Sequence, residues 1–215
     1  MNSSEKRVHY KASNTYATLN AITPETRNIW MVFHGIGYLS RYFLRYFEDL
    51  DPKANYFIAP QAPAKYYLGN AYKHVGASWL TRENTAEEIE NVMNYLDEVY
   101  QAEDLPDDVE RLLFGFSQGV SIALRWLALR RPKCDRLILY AGGVPKELSE
   151  EDFRFLENAD IRVTVIAGTE DEFITPQRYQ QELVRLQSLF PQKVDAITFE
   201  GGHEIQKSII QQLIS

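Results

Sequence analysis

Glu110-Arg111-Leu112-Leu113-Phe114-Gly115-Phe116-Ser117-Gln118-Gly119-Val120-Ser121-Ile122 is the stretch on which the reading of the fold turns. Val109 to Phe116, with its apolar Leu112-Leu113-Phe114, reads as a strand. Gln118 to Arg131 spaces Ile122, Leu124, Trp126, Leu127 and Leu129 as a helix does. The join between them is Gly115-Phe116-Ser117-Gln118-Gly119, a G-x-S-x-G pattern. A serine projecting from so sharp a turn needs small neighbours, because strand and helix must approach closely. The helix N-terminus then sets backbone N–H donors and partial positive charge beside its oxygen. By composition alone about one chain in fourteen of this length would carry the pattern by chance. Its position between a strand and an amphipathic helix is what makes it a candidate nucleophile.

The same alternation runs outward from that join. Arg27 to Phe33 reads as a buried strand ending in His34-Gly35-Ile36-Gly37, with Ser40 expected to cap an aromatic-rich helix to about Leu50. Asn55 to Ala59 is a short strand stopped by Pro60, and residues 61–80 read as a long irregular, tyrosine-rich stretch. Thr85-Ala86-Glu87-Glu88 has capping-box spacing ahead of a helix bearing Ile89, Val92, Met93, Leu96 and Val99. Beyond the join, strands are expected over Asp135 to Ala141, Ile161 to Ala167 and Val194 to Glu200. Helices are expected near 149–157, over Pro176 to Phe190 behind a Thr175 cap, and over His203 to Ile214. Apolar strands separated by helices imply a mostly parallel sheet covered on both faces. An N-terminal hairpin, about 7–11 and 15–20 and turning at Ser13-Asn14, is expected to add antiparallel strands at one edge. The fold class is α/β, and residues 1–215 read as a single domain, with no linker, repeat or low-complexity tract.

Composition excludes several functions. Lys and Arg number 23 against 30 Asp and Glu, a formal charge of −7, so no basic face for nucleic acid is expected. The single cysteine, Cys134, rules out a disulfide framework or a cysteine-rich zinc module. No apolar run nears the roughly 18 residues that span a bilayer, and the N-terminus lacks a signal-peptide core, so the expected address is cytoplasmic. No glycine-rich phosphate loop occurs, His74 lacks partners at metal-ligand spacing, and no cofactor or metal is implied.

A serine nucleophile needs a base, and the base needs an orienting carboxylate. In a doubly wound sheet these belong at the carboxyl ends of the strands. His203 follows the last expected strand in Gly201-Gly202-His203. Asp171 follows Ala167 by the short turn Gly168-Thr169-Glu170, with Glu170 and Glu172 as alternative orienters. The chain order is then Ser117, Asp171, His203. A tetrahedral intermediate needs two or more donors. The Gln118 N–H, just after the nucleophile, is one; the Ile36 N–H, in the glycine turn after the first strand, is the other. His34 is read as structural.

Five segments occur in the order, and at about the spacing, of one known family. They are His34-Gly35-Ile36-Gly37, Pro60-Gln61-Ala62-Pro63, Gly115-Phe116-Ser117-Gln118-Gly119, Gly168-Thr169-Glu170-Asp171 and Gly202-His203. Over roughly residues 27 to 210 the chain resembles the phospholipase/carboxylesterase family, which includes acyl-protein thioesterases. The resemblance implies an α/β-hydrolase fold, Ser117, Asp171 and His203 as catalytic triad, Ile36 and Gln118 as oxyanion donors, and Trp79 at the border of the cleft. The chain departs from the family's pattern at Tyr38, where Asp is frequent, at Val120, where a second Gly is frequent, and after Trp79, where Leu80 replaces an Asp. Tyr38, Tyr66 and Tyr67 join Trp79 as candidate pocket residues. The expected activity is hydrolysis of carboxylic esters or thioesters of small to medium acyl chains. Acyl transfer by the same machinery and a non-catalytic binding module are the rival readings. A small-molecule substrate, no nucleic acid, no membrane span and a monomer or homodimer are the expected associations.

Overall fold

The computed structural model describes residues 3–214. Its centre is a seven-stranded sheet in the order β1-β3-β2-β6-β7-β8-β9. These strands are β1 (Tyr16–Leu19), β2 (Asn28–Phe33), β3 (Asn55–Pro60), β6 (Glu110–Phe116), β7 (Arg136–Tyr140), β8 (Arg162–Gly168) and β9 (Val194–Phe199). All neighbours run parallel except β1, which pairs antiparallel with β3 through Tyr16–Pro60 to Leu19–Phe57. A second, two-stranded sheet is the hairpin β4 (Ala64–Leu68) and β5 (His74–Ser78). The helices are α1 (Ser40–Phe43, continued by a 3-10 turn to Tyr46), α2 (Thr85–Gln101), α3 (Gln118–Arg130), α4 (Glu150–Phe153), α5 (Pro176–Leu189) and α6 (Lys207–Gln212).

Successive side chains of a strand point to opposite faces, so each central strand feeds two cores. Ile29, Met31 and Phe33 join Leu113, Leu137, Leu139, Val163 and Val165 under α2, α3 and α5. Trp30 and Val32 join Leu112, Phe114, Phe116, Ile138 and Tyr140 under α1 and α6. Residues 28–33 are all buried, which is why the stretch shows no alternation of apolar and polar types. The order reverses between β3-β2 and β2-β6, so loops diverge there at the carboxyl ends and leave a crevice.

Several local expectations are corrected. An antiparallel strand does stand at the N-terminal edge, but its partner is β3, and residues 7–11 form no strand; Val8 and Tyr10 are exposed. Residues 61–80 are not irregular: they hold the β4–β5 hairpin, turned through Gly69 (φ 66°) and Tyr72 (φ 53°). Ser40 does not cap α1. Leu39 does, while the Ser40 N–H donates to Gln61 Oε1 at 3.0 Å. Asn84 in the left-handed region, not Thr85, precedes α2, and the Thr85 hydroxyl donates to the Thr81 carbonyl instead. The last helix starts at Lys207, leaving His203 in a loop. At α5 the Thr175 hydroxyl accepts from the Arg178 N–H, with Pro176 in the first turn, as the sequence predicts.

Of the glycine positions, the one with least room for a side chain lies where α3 leaves the sheet. A Cβ on Gly119 would overlap the Phe33 carbonyl, and one on Gly115 would lie 2.5 Å from the Gly119 oxygen. Both obstacles are backbone, which cannot rotate aside. Gly119→Ala is therefore expected to destabilise by about 3 kcal/mol or more, which lowers the thermal midpoint by about 6 °C or more for a chain this size. Calorimetry of the variant checks this; an unchanged midpoint would show that α3 can back away from β2 freely.

Candidate active site

Ser117 sits between β6 and α3 at φ 54°, ψ −118°, a backbone conformation costly for a residue with a Cβ. Its N–H donates to the Tyr140 carbonyl at 2.9 Å, and its carbonyl accepts from Val120 at 3.1 Å. Strand β6 and the α3 turn thus hold the strain from both sides. Ser117 Oγ lies 2.9 Å from His203 Nε2, and His203 Nδ1 lies 2.7 Å from Asp171 Oδ2. The Asp171 side chain is fully buried, while that of His203 is 17% exposed. Asp171 Oδ1 accepts the N–H groups of Phe173 and Ile174, both at 2.8 Å. Each carboxylate oxygen therefore has a donor, and the charge-assisted bonds fix its orientation. Glu170 and Glu172, its neighbours in the chain, are exposed.

Two rings flank the imidazole. Phe116 lies 5.1 Å from it at 32° and Phe173 stands edge-on at 4.8 Å. Phe173 is absent from the sequence reading. It follows Asp171 by two residues, and only the turn that brings its N–H to the carboxylate reveals its place.

The turn after β2 is built around a buried histidine. His34 Nε2 accepts the Ala62 N–H at 3.2 Å, so Nδ1 carries the proton and donates to the Gly35 carbonyl at 2.8 Å. In a trans peptide the C=O and the next N–H point in opposite directions. Fixing the Gly35 oxygen toward the buried imidazole turns the Ile36 N–H outward, where Ile36 borders the same cleft as Ser117. Among the described residues neither the Ile36 nor the Gln118 N–H donates to a protein acceptor. The Gln118 side chain anchors its own backbone: Oε1 accepts the Trp79 N–H at 2.8 Å and Nε2 donates to the Leu80 carbonyl at 2.7 Å.

The cleft has a volume of about 600 Å³. Tyr38 lines it, edge-on to Phe116 at 6.0 Å; burial and its 3.3 Å contact with Tyr46 push its hydroxyl up to about 12. Trp79, expected at the border, is instead buried beneath the turn, its Nε1 donating to the His34 carbonyl at 2.8 Å. So large an apolar ring is better placed against Phe33 and His34 than in water. Tyr66 and Tyr67 lie outside the cleft, exposed on the β4–β5 hairpin, which is fastened to the turn through Gly37 N–H to the Ala77 carbonyl at 2.8 Å. The far wall is formed by Gly142 to Lys146 after β7 and by Arg178, Glu182 and Arg185 on α5. Sequence reading missed this wall, although Gly142-Gly143 directly after a strand end was a usable signal. Among the described residues no helix is long and apolar enough to cross a membrane, and no group of His, Cys, Asp and Glu could hold a metal.

A mostly parallel sheet with a strained serine on a strand–turn–helix at its carboxyl edge defines an α/β hydrolase. The profile of the phospholipase/carboxylesterase family matches residues 14–215, and the chain belongs to that family of esterase-type hydrolases. Among solved structures it is similar to acyl-protein thioesterase 2 of Zea mays, with a TM-score of 0.69, 16% identity and coverage of 94% of this chain and 96% of that one. It is similar also to a carboxylesterase from Mesorhizobium loti, at 0.65, 21% identity and coverage of 88% and 89%. Esterase PE8 aligns at 0.66, 23% identity and coverage of 94% and 99%. At these identities the likeness is one of fold. No curated protein sequence matches the chain.

His34 ties the site to the stability of the fold. Burial lowers its pKa from 6.5 to about 4, partly offset by its bond to the Gly35 carbonyl. Between those values the unfolded chain binds a proton that the native state refuses. Stability from the neutral imidazole is therefore complete above about pH 6.5 and lost as pH falls toward 4, to the extent of about 3 kcal/mol. Urea unfolding at stepped pH checks this. The slope between pH 6.5 and 4 is expected to lessen by up to about one proton in His34→Gln, and an identical slope would show that His34 is not held neutral.

Proposed function

We propose that this chain is a serine hydrolase that cleaves carboxylic esters or thioesters of small to medium acyl chains through an acyl-enzyme on Ser117. The observation that carries this reading is the line Asp171 Oδ2, His203 Nδ1, His203 Nε2, Ser117 Oγ, with steps of 2.7 and 2.9 Å about the imidazole. It stands beside two amides with no protein acceptor among the described residues. Ser117 Oγ attacks the carbonyl carbon as its proton passes to His203 Nε2. The buried Asp171 carboxylate accepts the Nδ1–H, fixes the tautomer and stabilises the imidazolium that forms. The Ile36 and Gln118 N–H groups receive the oxyanion, whose charge is greatest in the tetrahedral state. Collapse expels the alcohol or thiol, which takes the proton from His203. Water then repeats the sequence on the acyl-enzyme and releases the acid.

Residues 1–215 are read as one catalytic domain. Hydrolysis is favoured over transfer to another acceptor because the cleft is open: Ile36 is 53% exposed, so water reaches the acyl-enzyme unhindered. Catalysis is favoured over a binding role by the strain at Ser117, which costs stability and which binding alone does not require.

Exposure to a small fluorophosphonate is expected to add one adduct, mapped by mass spectrometry to Ser117. Ser117→Ala is expected to lose the adduct and to lower kcat on para-nitrophenyl acetate by about 10⁴-fold or more. A folded protein that takes no adduct, or takes it elsewhere, would overturn the assignment of the nucleophile.

A further inference from the structure

Four charged side chains border the cleft that holds Ser117: Lys146, Arg178, Glu182 and Arg185. Their bonds leave the wall positive. Glu182 is fully engaged, Oε2 accepting the Val144 N–H at 2.9 Å and Oε1 facing Arg178 Nε at 3.4 Å. Arg185 donates to the carbonyls of Val144, Pro145 and Leu148, at 3.1, 2.5 and 3.2 Å. Those oxygens satisfy its N–H groups without cancelling its charge. Arg178 spends Nη1 on the Phe173 carbonyl at 2.9 Å and keeps a side chain 48% exposed. Lys146 is exposed and has no carboxylate partner among the described residues. Three cations thus face one carboxylate, in a chain whose overall charge is −7.

The placement of this charge is as informative as its sign. A Cβ on Gly142 would strike the Ser117 carbonyl, and one on Gly143 would lie 2.6 Å from Arg178 Nη2. Two consecutive residues therefore connect the nucleophile to the guanidinium. With Cα atoms 3.8 Å apart, the separation is on the order of 10 Å. Phe116, Phe173 and Val144 line the same cleft. Apolar lining near the serine and cations beyond it match a short methylene chain that ends in an anion.

Building on the serine-hydrolase reading, we infer that the cleft selects esters or thioesters bearing a carboxylate several carbons from the scissile carbonyl. Arg178 and Lys146 bind that carboxylate. Arg178 supplies a planar guanidinium for a charge-assisted pair, and Lys146 a mobile ammonium at the rim. Arg185 holds the 144–148 loop that carries Lys146 in place. The carboxylate can belong to the acyl half or to the leaving group; the recognising chemistry is the same.

The test compares matched esters on the intact chain. In the acyl arm, the para-nitrophenyl hemiester of adipate is compared with para-nitrophenyl hexanoate, the two differing in their terminal carboxylate. In the leaving-group arm, para-carboxyphenyl hexanoate is compared with its para-carboxamide analogue. The readout is the ratio of kcat/KM for the anionic ester to that for the neutral one. Comparing this ratio between proteins cancels intrinsic reactivity and background hydrolysis. In at least one arm it is expected to fall about tenfold in Arg178→Gln and less in Lys146→Gln, mainly through KM. It is also expected to shrink as sodium chloride is raised, and to recover in part in Arg178→Lys. A merely structural Arg178 would change both esters together and leave the ratio unmoved.

Lys146→Gln alters an exposed side chain with no ion pair, so it keeps the question open to measurement even if Arg178→Gln fails to fold. Ratios identical in the wild type and the folded variants, in both arms, overturn the proposal while hexanoate turnover keeps the hydrolase reading. A wild type that turns over none of the esters removes the hydrolase reading and this inference with it.

Discussion

The contact between Gly119 and the Phe33 carbonyl is the constraint on which the rest of the site depends. No other residue type allows α3 to begin so close to β2, since any Cβ there would enter a backbone oxygen. Because the helix starts so close, Ser117 must turn through φ 54°, and its hydroxyl leaves the sheet at the carboxyl edge. The same closeness brings the Gln118 N–H beside the turn that follows β2. The proposed nucleophile, the helix N-terminus and the proposed oxyanion turn are thus consequences of one approach of two backbones. A looser join would relax the strain and separate the serine from its donors together.

Such closeness buries polar groups, and each must find a partner. His34, Gln61 and Ser40 are all buried. The imidazole is held between the Ala62 N–H and the Gly35 carbonyl, and Gln61 Oε1 accepts from the Ser40 N–H. Trp79 closes the underside by donating to the His34 carbonyl, and Gln118 reaches across to residues 79 and 80. Four separate segments are therefore joined at the oxyanion turn by hydrogen bonds that water cannot easily replace. A charged His34 would break this arrangement, because Nε2 would lose its acceptor role. The lowered proton affinity of His34 thus follows from its task as well as its burial.

Legibility in the sequence followed burial. Strands β2, β6 and β7 were readable because nearly every residue in them is buried, which forces an apolar run. Ser117, Asp171 and His203 could be picked out because parallel strands bring their carboxyl ends to one edge, whatever the loops do. The β4–β5 hairpin was opaque for the opposite reason: all of Ala64–Leu68 is exposed, so no pattern marks it. It is seated by backbone, at Gly37 and Gly76, where a Cβ on Gly76 would lie 2.6 Å from the Gly37 oxygen. Residues 7–11 misled in the other direction, since Val8 and Tyr10 alternate with polar residues yet find no strand to join. Ser40 has the composition of a cap, but local rules cannot foresee Gln61, 21 residues on, claiming its N–H. Trp79 was misplaced because sequence order does not say which side of a loop a large ring will choose.

The reacting groups and the walls of the cleft are made in different ways. The proposed oxyanion donors are backbone N–H groups beside the sheet, and the Asp171 carboxylate is clamped by two more. Little side-chain identity is spent on them beyond the triad itself. The far wall, by contrast, is made of side chains from α5 and the loop after β7, bonded mostly to one another and to loop carbonyls. They bear on the α5 and 144–148 contacts rather than on the sheet, whereas Gly119 bears on the join itself. Chemistry that depends on backbone geometry tolerates no adjustment, so in the proposed hydrolase discrimination between substrates falls to the part that does. In this chain that part is cationic, set against an acidic whole, and its sign is therefore a local property of the cleft.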